Sequence, residues 1–341
     1  MLGRFLDLFR RPPARARRTT APGTATAHTG AKPPATIGDI LNEAIDALGG
    51  ATSLVDRDAW SGVAAQIGER AAADPPTPPS FPNVVTQALA LAKQPELDLN
   101  ELVGIVQRDA AIATAMLRIA NSTMHAPASP ITTVRGAIQS LGLQGVVEVV
   151  LGTAGKSFYA VASRNELKLF PELWTPMFDD AIANAFTCGR LALDIRGASS
   201  ERALLAGLLS DIGRPLALRI LSGLIRDGAA PLALDPAVVL AAIDEVAPAI
   251  SRRTIIAMGL PEELRAACIV DPDAPTPDAQ IAQLISAIGA IQRRSPAIRI
   301  SASTVQALAE RLALGPLVVR TLFAQRSQYM HQAAEMFGPG A

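Results

Sequence analysis

A chain of 341 residues in which nearly half are apolar can bury a sizeable core. Aromatic residues make up only 4 %, Ala and Leu dominate, and β-branched runs are short, so helix is favoured over sheet along the whole length. The 31 basic and 31 acidic residues cancel, yet the first 35 residues hold Arg4, Arg10, Arg11, Arg15, Arg17, Arg18 and Lys32 against Asp7 alone, leaving the remainder mildly acidic.

Taken in chain order, Met1–Arg11 places Leu2, Phe5, Leu6 and Phe9 on one helical face and its charges on the other. Such a segment could rest on an anionic membrane, so weak surface contact through residues 1–18 is one reading; a frayed terminus or a partner-docking segment are the others. It lacks the apolar run and cleavage site of a secretory signal, and the expected location is the cytoplasm. Residues 11–34, rich in Thr, Ala, Pro and Arg without periodicity, read as a disordered tether completing a unit over 1–35. The basic cluster has no interleaved aromatics, and no nucleic-acid partner is expected.

Between Ile37 and Ala73, Ile40, Leu41, Ile45 and Leu48, then Trp60, Val63, Ala64 and Ile67, recur at helical spacing around Gly49–Gly50, predicting a small helical hairpin. The prolines of Asp74–Pro82 bar a helix and mark a boundary that closes a second unit at about residue 77. Beyond it Asp98 and Asp109 are placed to cap helices, the second holding Ile112, Met116 and Ile119. Asn121 is expected to end that helix in the left-handed conformation. Thr132 or Thr133 opens a helix closed by Gly142, and Val146–Leu151 continues as another. An amphipathic helix from about Pro176 to Ile195 should turn Phe178, Ile182, Phe186 and Leu193 inward, followed by Arg202–Leu209 and Pro215–Ile225. The long apolar stretch from Ala203 to Ile225 is interrupted by Asp211, Arg214 and Arg219, which suits a soluble core and not a bilayer. After the Pro-rich break Asp271–Pro277, Ile281, Leu284, Ile285 and Ile288 mark one helix, Leu308 and Leu312 a second, and Pro316 starts a third. No alternating strand pattern exceeds four or five residues, so the expected fold class is all-α, a multi-helix array.

Chemistry-bearing patterns are sparse. The three histidines, His28, His125 and His331, share no ligand spacing, and Cys188 and Cys268 form no C-x-x-C pair and read as buried thiols. Phosphate-loop, dinucleotide-binding and nucleophile-elbow motifs are absent. These features yield no catalytic, cofactor-binding or metal-binding residue. The segment Ala206–Gly213 alone has the look of a worn site, with Ser210 and Asp211 between two apolar helices. Read plainly, Asp211 accepts backbone amides as a junction cap and Gly213 relieves crowding.

The run Phe81-Pro-Asn-Val-Val, the run Arg108–Ser122 with Asp109 at its head and Asn121-Ser122 at its end, and Ile131–Gly142 together resemble the HDOD domain, as do Trp174 and Ala206–Gly213. The resemblance covers roughly Pro78 to Asp273, with residues 274–341 either completing that core or forming an oligomer interface. It implies an HD-like helical fold in which Asp109, Asn121, Ser122, Gly142, Trp174 and Gly213 are structural signature positions. The His-Asp pair of the related metal phosphohydrolases falls on Ser210 and Asp211, a vestigial position, and other histidine-prone positions fall near Pro176, Ala247 and Asp271. Ala110 stands where a proline is usual after the capping aspartate, and Met258 where a tryptophan is common. The implied role is a bacterial regulatory module that binds a signalling protein and turns over no substrate; the alternative is a metal-dependent phosphohydrolase acting on a nucleotide or phosphoester.

Overall fold

The computed structural model describes residues 36–47, 57–75, 98–121, 127, 129–159, 169–231, 233–269, 276–295 and 298–337, with single positions at 84, 87, 90 and 91. The basic segment of residues 1–35, the Gly49–Gly50 break, Ser122, His28, His125 and Asp271 lie outside them. Among the described residues all regular structure is helical, as the composition predicts. The helices are α1 (Ile37–Ala47), α2 (Arg57–Ala73), α3 (Leu99–Gln107), α4 (Ala110–Ala120), α5 (Val134–Tyr159), α6 (Pro171–Ala192) and α7 (Ser200–Ser210). They continue with α8 (Gly213–Arg226), α9 (Pro236–Ala257), α10 (Glu262–Cys268), α11 (Pro277–Gln292), α12 (Ile298–Arg311) and α13 (Pro316–Phe337).

The local signals act as their chemistry requires. Asp98 accepts the amides of Asn100 and Glu101 at 2.8 and 3.2 Å and starts α3. Asp109 does the same for α4 through Ala111 and Ile112, at 2.9 and 3.1 Å, satisfying donors that have no partner within the helix. Gly142 breaks α5 at φ 69° and ψ 172°, a conformation that only glycine adopts without strain. Among the described residues no single helix is long and apolar enough to cross a membrane; the two halves of α5 reach that length only together, across a bend of 111°.

Three local expectations are corrected. Asn121 is not left-handed: it sits at φ −97° and ψ 3°. Its amide instead bridges the loop, donating to Leu117 O and Ile131 O and accepting from Ile131 N at 2.8 Å, so the helix end is clamped to the returning chain. The helix predicted from Pro176 begins five residues earlier, at Pro171, and runs through Pro176, because burial of Trp174, Met177 and Phe178 outweighs one lost backbone bond. Leu193 is 45 % exposed; from that residue the chain tightens to three-residue hydrogen bonding, which rotates it off the inward stripe.

Helices α6 and α7 form the centre. Ala203 to Ser210 are buried without a break, and α7 packs against α5, α6, α9, α10 and α11. The two central helices cross so closely at Gly207 that a β-carbon there would lie 2.7 Å from Asn184 O. Around them α8 pairs with α9, α4 with α5, and α2 lies on α8 and α9, while α1 leans on α12 and α13. The two helices predicted between Ile37 and Ala73 form, but their described residues do not pack on each other as a hairpin would: each packs chiefly against helices of the C-terminal half. Helix α11 packs on α6 and α7, and Ile281, Leu284, Ile285 and Ile288 are fully buried in the same apolar cluster as the rest of the core.

Candidate functional site

The α7–α8 junction brings Ser210 and Asp211 to the centre of the molecule. Ser210 spends its hydroxyl inside its own helix, donating to Gly207 O at 2.9 Å. Asp211 does not cap backbone amides, which corrects the plain reading of its role. It accepts from Ser286 Oγ at 2.6 Å, Asn184 Nδ2 at 3.2 Å and Arg293 Nη1 at 3.4 Å. Ser251 on α9 holds the junction closed by accepting from Gly213 N at 2.8 Å and donating to Ser210 O at 3.1 Å. Gly213 is required by packing, since a β-carbon there would sit 2.1 Å from Ala247 O.

Beside Asp211 lies a buried charge network that the sequence reading did not find. Asp180 on α6, 1 % exposed, accepts from Arg326 Nη2 at 2.6 Å, Arg293 Nη1 at 2.8 Å and Arg214 Nη1 at 3.1 Å. Arg326 is itself 1 % exposed and donates to Asn184 Oδ1 and Gln292 Oε1 at 2.8 and 2.7 Å. Arg214 Nε reaches Asp244 Oδ1 at 3.1 Å. Three aspartates thus neutralise three arginines across α6, α8, α9, α11 and α13, with a satisfied hydrogen bond at almost every contact, as buried charges require. Burial pushes the Asp180 carboxyl upward, but Arg326, Arg293 and Arg214 together outweigh it and hold the group well below the usual carboxylate range. Burial disfavours the Arg293 cation, and Asp180 and Asp211 reverse that and raise it. The adjacent Asp179 lies outside the network; burial first and then the charge of Asp180 lift its carboxyl to about 6, with Lys156 opposing.

The sequence carried one signal for this network. Arg326 falls on the buried stripe Val319, Leu322, Tyr329 and Ala333 of α13, and Asp180 and Asn184 fall on that of α6 beside Met177 and Ala181. A charged residue on an apolar helical stripe demands a buried partner.

A cavity of about 320 Å³ opens next to Asp211, walled by α9 and α11 and lined also by Cys268 of α10 and Ser301 of α12. Ala247, at a position where the resemblance places a histidine, contributes only its methyl group to this wall. The donors on hand do not fit a metal: Asp180, Asp211 and Asp244 are committed to guanidinium groups, and no group of three His, Cys, Asp or Glu suited to an ion occurs among the described residues. His331 lies exposed on α13, and Pro176 lies within α6. The remaining signature positions do not converge here: Asp109 is a cap, Asn121 a loop clamp, Gly142 a helix break, and Trp174 a core side chain at 3 % exposure. Both thiols are buried and raised by that burial, hence unreactive.

Comparison with known proteins agrees with this architecture. The family model of the HDOD domain matches residues 79–230. A solved HDOD domain protein with unknown function from Geobacter sulfurreducens is 14 % identical, with 81 % of this chain and 99 % of that one covered at a TM-score of 0.53. A protein described as a candidate signal transduction protein from Marinobacter aquaeolei VT8 is 20 % identical over 88 % of this chain and 66 % of its own, at a TM-score of 0.51. None of the curated proteins matches the chain. The match ends before Asp244, Arg293 and Arg326, so half of the charge network comes from helices beyond it. The chain carries an HDOD domain at residues 79–230, extended by C-terminal helices that share its core.

Proposed function

We propose that this protein is a non-enzymatic module of bacterial signal transduction, working in the cytoplasm by binding a signalling partner. The observation that carries the reading is the state of Asp211. At the position that corresponds to the aspartate of a metal-binding pair, the carboxylate is held by Arg293, Asn184 and Ser286, all supplied by the protein. A guanidinium already provides the positive charge that a divalent ion would bring, and removing it would leave the Asp211 carboxylate with only the neutral donors Asn184 and Ser286 in a buried setting. The serine in place of the pair's histidine is a poor metal ligand and is turned back onto its own helix.

The test is elemental metal analysis of the protein purified from medium supplemented with iron and manganese, with Asp211→Ala alongside. Metal well below one equivalent in both is expected, together with no phosphoesterase activity on a general chromogenic phosphate ester. One equivalent of metal in the parent that is lost in Asp211→Ala would establish the phosphohydrolase reading instead. Co-purification from the native host then identifies the partner.

A further inference from the structure

We infer that the cavity between α9 and α11 is a binding site for a small organic anion, its oxyanion head held by the guanidinium edges of Arg214 and Arg293. Partner docking stands or falls separately from this site.

The first observation is what each arginine leaves over. Arg214 spends Nε on Asp244 and Nη1 on Asp180, both at 3.1 Å. Arg293 spends Nη1 on Asp180 at 2.8 Å and on Asp211 at 3.4 Å. The Nη2 of each has no acceptor among the described residues, yet neither is among the buried atoms sealed from solvent. The side chains are only 6 % and 13 % exposed and both line the cavity, so the open edge of each guanidinium is the one turned into it. The hydroxyl of Ser301, on a buried residue of α12 that also lines the cavity, is unpartnered and unsealed in the same way. Polar groups this deep in a protein are satisfied in nearly every case, and these are left for an occupant to satisfy.

The second observation is that the acceptors are withheld. Asp211 takes Ser286 on Oδ1 and both Asn184 and Arg293 on Oδ2. Asp244 Oδ1 is taken by Arg214, and Asp244 Oδ2 and Gln283 Oε1 are sealed from solvent, so they do not face the cavity. The guanidinium and hydroxyl groups left open are donors, and guanidinium N–H groups pair best with carboxylate or phosphate oxygens.

Charge points the same way. Arg214, Arg252 and Arg293 line the cavity against Asp211 and Asp244, an excess of one positive charge, and counting the Asp180–Arg326 pair behind them leaves that excess unchanged. A single negative charge on the occupant balances it. The space of about 320 Å³ equals the liquid volume of roughly ten waters, more than a bare inorganic ion fills. Its remaining wall is aliphatic, from Ala247, Ile255, Ala287 and Ala290, and no aromatic side chain offers a base a stacking surface. The occupant is therefore an oxyanion carrying a short aliphatic body.

The experiment is thermal denaturation followed by calorimetric titration of the dialysed full chain in EDTA, which removes any metal-bound anion that would belong to the phosphohydrolase reading. The probes are butyrate, lactate, glycerol phosphate and inorganic phosphate, with butyramide and butylamine as neutral and cationic counterparts of butyrate. A saturable rise of about 5 °C at a hundredfold excess over Kd is expected for at least one organic anion, and none for butyramide or butylamine. Butyrate or lactate would assign a carboxylate head, and glycerol phosphate a phosphate monoester. Ala287→Leu and Ala290→Leu each fill the space from α11 and should abolish the response, and because they act separately a failure of one to fold leaves the other as the test. Arg252→Gln, at an exposed position of α9, should weaken binding at least threefold. The site is ruled out if no organic anion shifts the transition, if butyramide matches butyrate, if inorganic phosphate alone responds, or if the shift survives in a folded cavity-filling variant.

Discussion

Arg326 joins three buried acceptors in the interior, and Arg326→Met measures what that is worth. Methionine keeps most of the volume, so the loss is chiefly polar. The substitution deletes charge-assisted bonds to Asp180, Asn184 and Gln292, at 2.6, 2.8 and 2.7 Å, and strands an oxygen on each in a region where Arg326 and Asp180 are 1 % exposed. Removing one partner of a buried ion pair costs about 3–5 kcal/mol, and each stranded neutral acceptor about 1–3 kcal/mol. Asp180 keeps Arg214 and Arg293, and the effects are not additive, so the expected total is about 5 kcal/mol. Against a native stability of roughly 5–15 kcal/mol that brings the chain to the edge of folding. The assay is urea denaturation at neutral pH, repeated for Asp180→Asn and for the double variant, where a coupling of at least about 1.5 kcal/mol is expected.

The sign of the pH dependence follows from Asp180, whose carboxyl the guanidinium groups hold low in the folded protein. The ionised group contributes stability above its unfolded value, about 3.9, and that stability is lost as pH falls below it toward the folded value. The gap between parent and variant should therefore be constant from pH 5 to 8 and narrow as pH drops below about 4, down to the part set by the neutral acceptors Asn184 and Gln292, which do not titrate. A loss under about 1 kcal/mol, or a gap unchanged between pH 7 and pH 3, would refute the reasoning.

Other expectations rest on separate features. Gly213→Ala drives a β-carbon against Ala247 O and Ser251 N, backbone atoms that cannot yield, and should lower stability by about 3 kcal/mol and the melting temperature by about 6 °C; an unchanged melt would show that the helices can part. Asp179, lifted to about 6, resists ionisation in the fold, so the parent loses stability as pH rises from about 4 to 6. Asp179→Asn should remove that loss, gaining about 1 kcal/mol at pH 7.5 after allowance for its partial exposure and nothing at pH 4; equal gains at both would contradict the assignment. Asp109→Ala removes the cap of α4 and should cost about 1 kcal/mol in a denaturant titration, with the metal content of the protein unchanged.

Much of the helical layout was legible residue by residue. Asp98 and Asp109 announced their helices, Gly142 its break, Pro316 the last helix, and the apolar stripes of α6 and α11 their buried faces, because caps, turns and periodicity are local properties of the chain. The local reading failed where packing over-rode it: Pro176 is carried inside α6 by the burial around it, Leu193 is turned out by a tightened helix end, and Asn121 serves a contact ten residues away. The site was legible only as Ser210 and Asp211. What Asp211 touches was decided by tertiary structure, since Asn184, Ser286 and Arg293 come from α6, α11 and the end of α11, and the arginine that completes the network, Arg326, lies 146 residues from Asp180. A sequence states which side chains carry charge and which helical face they ride on. Which charges meet depends on how helices cross, and that is set by the summed burial of the whole core.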